Sequence, residues 1–182
     1  ISLDSNYARA YAMKSFVANN LASRTARTPV ELATGRDEAL QYAKVALSIA
    51  PDLPIAHSAL GFAYGLNLQV SESLRENEIA LSLASGDPDV IRNYGFAMSI
   101  IGKPEEALRY VDEALVLDPL NSRSFYAHIS VLYFARRYEE AVRYSLKLKQ
   151  DSPELFRFPV LLGHLLLMLG RTEDAALAFG GD

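Results

Sequence analysis

The chain has 182 residues, half of them hydrophobic, 22% charged and none of them cysteine, with a formal net charge of −4. That composition supports one domain or one short repeat array with a sizeable core, and it argues against disorder. The missing cysteine excludes disulfides, zinc fingers and thiol catalysis, and the acidic balance leaves no basic footprint for nucleic acid or an anionic membrane.

No secretory signal opens the chain, and its first residue is Ile1 rather than Met, so the start reads as a cut or processed end. A cytoplasmic setting fits these features. The longest apolar run, Phe158 to Leu169, is 12 residues, short of the roughly 20 that a membrane span needs.

Four stretches echo one another in chain order: GRDEALQYAKVALSIAPD at 35–52, GKPEEALRYVDEALVLDP at 102–119, ARRYEEAVRYSLKLKQDSP at 135–153 and GRTEDAALAF at 170–179. Ala107, Ala141 and Ala175 lie 34 residues apart, and Gly61–Gly95, Pro119–Pro153 and Ala46–Ala80–Ala114 keep the same interval. Three residue types holding one period make the chain an array of units. The units fall at about 8–53, 54–87, 88–121, 122–155 and a truncated 156–182.

Each unit reads as two helices with a short break between them. In 88–121, Asp87 caps the first helix, Pro88 suits its first turn and Gly102 ends it. Pro104 opens the second, Glu105 and Glu106 complement its dipole, and Asp118-Pro119 stops it. No stretch alternates in the manner of a strand. A Gly on the first helix and an Ala on the second let the two axes approach, and a second Ala (46, 80, 114) lets the next first helix dock. No pair alone buries its apolar face, so the stack is the folding unit.

This 34-residue helix–turn–helix period resembles the tetratricopeptide repeat. Unit 54–87 supplies Leu60-Gly61, Tyr64 and Ala80, with Ser73 in place of the first Ala and Ser85 in place of the Pro. Unit 88–121 supplies Tyr94-Gly95, Ala107, Ala114 and Pro119. Unit 122–155 supplies Phe125, Ala141 and Pro153, with Ile129 and Leu148 at small positions, and the last unit supplies Leu162-Gly163, Gly170, Ala175 and Phe179. Residues 1–7 resemble the tail of a preceding repeat, with Asp4-Ser5 where Asp-Pro would stand. The resemblance implies an all-α fold, a right-handed superhelical solenoid of antiparallel helix pairs forming a single array. The alanine-rich start and GKPEEAL also resemble the C-terminal tetratricopeptide region of bacterial nucleotide cyclases or winged-helix transcriptional regulators. That implies a regulatory segment of a larger protein.

The first unit is longer than the others by 12 residues, placed around SRTARTPVELATGR at 23–36. This insertion reads as a mobile excursion closed by Pro29 and Gly35, with one helical turn at VELA and a basic character from Arg24, Arg27 and Arg36. At the other end, the helix from Pro159 is apolar on nearly every side, as a helix buried on both faces would be.

In the resembled family a concave groove is lined by first helices. Carried onto this chain, it comprises Phe16, Asn20, Phe62, Leu66, Arg92, Asn93, Phe96, Tyr126, Ser130, Tyr133, Phe134 and His164. The family's clamp for a chaperone carboxylate needs Lys or Arg and Asn at set positions. Here those positions hold Ser58, Arg92 and Tyr126, then Phe62, Phe96 and Ser130, so the clamp is missing. What remains is an aromatic groove for an extended or helical peptide, with Arg92 and Asn93 as polar handles. The competing reading makes Phe16, Phe62 and Phe96 core residues, since aromatics at helical spacing usually pack inward.

Catalysis finds no support. His57, His128 and His164 sit on different helices without a ligand at metal spacing, and His57 and His128 read as packing residues. The pairs Glu105-Glu106, Glu139-Glu140 and Glu173-Asp174 recur at one repeat position, where they complement helix dipoles. The expectation is therefore a non-enzymatic scaffold without cofactor or metal, binding a protein or peptide. The alternative is a structural spacer or self-association module, a homodimer through the C-terminal helix that is sensitive at Leu162 or Leu166.

Overall fold

The computed structural model describes residues 5–180, which form ten α-helices and no strand. In chain order they are α1 (Ser5–Thr25), α2 (Pro29–Ile49), α3 (Pro54–Leu66), α4 (Val70–Leu83), α5 (Pro88–Ile100), α6 (Pro104–Leu117), α7 (Ser122–Phe134), α8 (Tyr138–Asp151), α9 (Pro159–Met168) and α10 (Thr172–Gly180). They pack as antiparallel pairs. The chain forms two compact units, one ending at Ala97 and one starting at Met98.

The helix ends follow the local chemistry of the sequence. Asp87 Oδ1 accepts hydrogen bonds from the backbone N–H groups of Asp89 and Val90 at 2.9 and 3.2 Å, satisfying two donors that the helix cannot. Gly102 adopts φ 78°, a left-handed turn that glycine enters without a Cβ penalty. Pro54, Pro104 and Pro159 each sit in a first turn, where their missing N–H costs nothing.

In the first unit, α3 packs on both α1 and α2. Ala12, Ala43, Ala46, Ile55, Ala56, Ala59 and Leu60 form one buried cluster, with Tyr11, Leu40 and Tyr64 packed around it. In the second unit, α7 packs on α6, α8 on α7, α9 on α8 and α10 on α9. Ala107, Ala114, Ala141 and Ala175 are fully buried there beside Val111, Ile129, Leu132 and Leu165. The alanines that carry the 34-residue period are thus the seam residues.

The first pair departs from the expected shape. Residues 23–36 are not a mobile excursion: α1 runs on to Thr25 and α2 starts at Pro29, so both helices are 21 residues long. Thr28 Oγ1 accepts from the Glu31 N–H at 3.2 Å, while Glu31 Oε2 accepts from the Arg27 N–H at 2.8 Å. This reciprocal cap starts the helix, with Pro29 in its first turn. Gly35 is a packing residue rather than a loop closure; a Cβ there would lie 2.5 Å from Ala22 Cβ on α1. The tail expected at 1–7 lies partly outside the described residues, and residues 5–7 are the first turn of α1.

The C-terminal pair also differs. The α9 helix is not buried on both faces, because Val160, Leu167 and Met168 are about half exposed. Leu162, Leu165 and Leu166 face inward instead. Its partner α10 is the short stub expected, 9 residues against 14 in α6 and α8.

Gly61 marks a close approach of α3 to α4 in the first unit. A Cβ there would fall 2.3 Å from Asn77 Nδ2 and 3.0 Å from the Ser73 carbonyl oxygen on α4. Asn77 is buried and donates to that same carbonyl at 2.8 Å, so it cannot move aside freely. Gly61→Ala should therefore destabilise the chain by about 1–3 kcal/mol, although alanine is the better helix former by about 1 kcal/mol. Urea unfolding checks this, and Asn77→Ala in the same chain should restore part of the loss.

Candidate functional site

The groove positions of the first unit converge. Phe16 on α1, Phe62 on α3 and Phe96 on α5 stack in a row, with ring centroids 5.6 Å and 5.9 Å apart. Each successive first helix contributes one ring. All three are half-buried, whereas their neighbours Ala12, Ala59 and Ala63 are fully buried. Offset, tilted rings at this separation attract beyond their area burial. Leu66 is half-buried, and Asn20 is exposed with its Nδ2 donating to the Phe16 carbonyl at 2.8 Å.

The expected polar handles are differently placed. Arg92 is buried, pairs with Asp89 and donates to Asn93 Oδ1 at 3.1 Å. A buried guanidinium needs a carboxylate close by, and Asp89 on the same helix supplies one. Ser58, one of the clamp positions, is fully buried.

The second unit carries a separate aromatic set. Tyr126 is exposed and meets Phe158 edge-on at 5.9 Å, and Phe156 lies 4.8 Å from Phe158. Tyr133 sits between Phe134 at 5.6 Å and Tyr138 at 5.7 Å, with Phe134 exposed and Tyr133 half-buried. Ser130 is buried, donating to the Tyr126 carbonyl at 2.8 Å, so it offers nothing outward. His164 is exposed and meets Phe179 edge-on at 5.4 Å. Phe156, Phe158 and Tyr138 were not among the expected positions. They lie at a break or at the start of a second helix, where first-helix spacing has no reach.

The other two histidines serve the scaffold. His57 Nδ1 lies 2.8 Å from Glu76 and Nε2 2.8 Å from the Pro51 carbonyl, linking α3 to α4 and to the turn after α2. His128 bonds Asp112 at 2.8 Å and stacks on Tyr144 with centroids 4.2 Å apart. No group of three His, Cys, Asp or Glu residues suits a metal among the described residues. Nor is any described helix long and apolar enough to cross a membrane.

Sequence reasoning also missed a groove of about 810 Å³ between α1 and α2, lined by Val17, Leu21, Val30, Thr34, Glu38 and Tyr42. It exists because both helices extend two turns beyond the usual unit. Its signal was the Thr28–Glu31 capping pattern.

Neither a family model nor a curated protein matches the sequence. Solved structures do. A thermophilic TPR protein from Thermus thermophilus aligns over 91% of this chain and 88% of its own, with 17% identity and a TM-score of 0.68. Pseudomonas aeruginosa pilF aligns over 97% of this chain and 75% of its own, at 22% identity and a TM-score of 0.58. YrrB, a TPR protein with an unusual peptide-binding site, aligns over 99% and 91%, at 16% identity and a TM-score of 0.51. The chain has the tetratricopeptide repeat fold.

Burial pushes the Tyr144 phenol up to about 12, and the nearby Asp112 carboxylate adds to the rise. An unfolded phenol ionises near 10. The folded state thus favours the protonated form, and this contribution is whole below pH 10 and lost as pH rises to about 12. Tyr144→Phe should lose stability less steeply than the natural chain across that window, in melts followed by circular dichroism.

Proposed function

We propose that this chain is a non-catalytic protein-interaction scaffold whose first unit binds a peptide along the Phe16–Phe62–Phe96 row. The observation that carries the reading is the row itself. The fold's seams are closed by fully buried alanines and glycines, so three half-buried phenylalanines in mutual contact are more than the seams require. Such a row offers apolar slots at the spacing of the helices, into which side chains of an extended or helical peptide can insert. Asn20 supplies an exposed amide beside it, and its Oδ1 can accept from a ligand backbone N–H. Leu66 widens the apolar floor, while Arg92 and Asn93 act by bracing α5.

The peptide-binding site of YrrB, on a similar fold, supports this class of ligand. The exposed Tyr126 and Phe134, with half-buried Tyr133 beside them on α7, and the exposed His164 on α9 are the corresponding candidate positions of the second unit, where buried Ser130 only supports α7. The role is best understood as the cytoplasmic regulatory segment of a larger bacterial protein, a reading supported by the resemblance of its alanine-rich start and GKPEEAL stretch.

The test selects binding peptides from a display library on the natural chain, then measures Phe16→Ala and Phe62→Ala. Each substitution should weaken the selected peptides at least about tenfold, with the melting curve retaining its cooperative transition. Unchanged affinity in both folded variants overturns the proposal. Collapse of both variants on melting assigns the rings to the core instead.

A further inference from the structure

Charge is not spread evenly over the first unit. Its second helices, α2 and α4, hold Glu31, Asp37, Glu38, Glu72, Glu76 and Glu78 against Arg36, Lys44 and Arg75. The first helices run the other way. Among α1, α3 and α5 the one carboxylate is Asp89, which pairs with Arg92 on its own helix. The α1 helix adds Arg9, Lys14 and Arg24 and no acid. A chain of net charge −4 thus sets a cationic helix at one end of the Phe16–Phe62–Phe96 row.

Helical spacing sorts these cations. Arg9, Phe16, Asn20 and Arg24 follow one another at seven, four and four residues, so they share one face of α1. Arg9 and Arg24 are exposed there, and among the described residues neither has a carboxylate partner. Lys14 lies off this face. It lines the α1–α2 groove with Glu31 and Glu38, its Nζ 5.3 Å from the Tyr42 ring centroid.

The distances suit one kind of ligand. Arg9 and Arg24 stand seven and eight positions from Phe16, roughly 10 and 12 Å along the helix axis. Across the axis, centroid steps of 5.6 and 5.9 Å make the row no wider than a helix with its side chains, roughly 10–12 Å. A helical peptide lying along α1 would rest its apolar stripe on the three rings and bring residues two turns to either side over Arg9 and Arg24. An extended peptide lying along the row would pass roughly 10 Å from either arginine.

Building on the peptide-binding reading of this row, we infer that the first unit selects an acidic amphipathic helix. Its apolar residues lie along one face at its middle, with Asp or Glu about two turns before and after them. Opposite charge steers such a helix in and fixes its register, while a basic one is repelled.

A display library of random peptides, each about 20 residues and so long enough for five helical turns, selected on the 182-residue chain, tests this. The selected peptides that lose binding to Phe62→Ala should carry Asp or Glu on both sides of an apolar stretch and gain helical circular dichroism on binding. Arg9→Glu with Arg24→Glu should weaken them about tenfold, and raised salt should narrow the difference. Arg24→Glu alone should cost more affinity than Lys44→Glu, an equal change of charge at an exposed position of α2. Arg9→Gln with Arg24→Gln repeats the comparison if charge reversal disturbs the melting curve. Peptides that need the Phe62 ring but are neutral or basic, bind the reversed chain equally well, or bind without forming helix overturn this inference and leave the peptide-binding reading standing. Peptides indifferent to Phe62→Ala in a folded chain overturn both.

Discussion

The close approach of helix axes is the constraint on which the rest of this molecule depends. At Gly35 and Gly61 a Cβ would run into the facing helix, at Gly163 it would meet the Phe179 ring, and Ala107, Ala141 and Ala175 are fully buried. Small residues bring two backbones within mutual dispersion range and leave no void, which is how a two-helix layer reaches the packing density of a protein interior. Each pair then has only one option for its remaining apolar face, which is to lie against the next pair.

That constraint also decides where chemistry can reside. Small residues occupy the seams beside buried Ile129, Leu132 and Leu165, while Phe16, Phe62 and Phe96, each half-buried, stack from three successive first helices. His57 and His128 are taken up by the framework. His57 links three elements through Glu76 and Pro51, and Arg137 bonds both Glu105 on α6 and Glu140 on α8. Repetition converts side chains that could act singly into a lattice of supports.

Much of this was legible in the order of residues. The 34-residue interval placed the seam alanines, Asp87 and Pro104 marked helix starts, and Gly102 marked an end. The helical extension of the first pair escaped because Pro29 and Gly35 look like breakers, yet Thr28-Pro29-Val30-Glu31 is a capping signal for the helix that forms there. Periodicity was silent on α9, where PVLLGHLLLM is apolar at almost every position and no face can be preferred. Its orientation, with Leu162 and Leu166 inward and Leu167 outward, comes from how it packs on α8 and α10.

By itself the sequence determined the helices, their pairing period and the small residues between them, because these follow from local backbone chemistry and from a spacing that repeats. Only the tertiary structure decided which apolar side chains remain in water, which groove aromatics touch, and that Arg92 turns to Asp89 within its own helix. Those outcomes depend on side chains brought together from distant positions, and no local pattern encodes the competition among them for the same buried space.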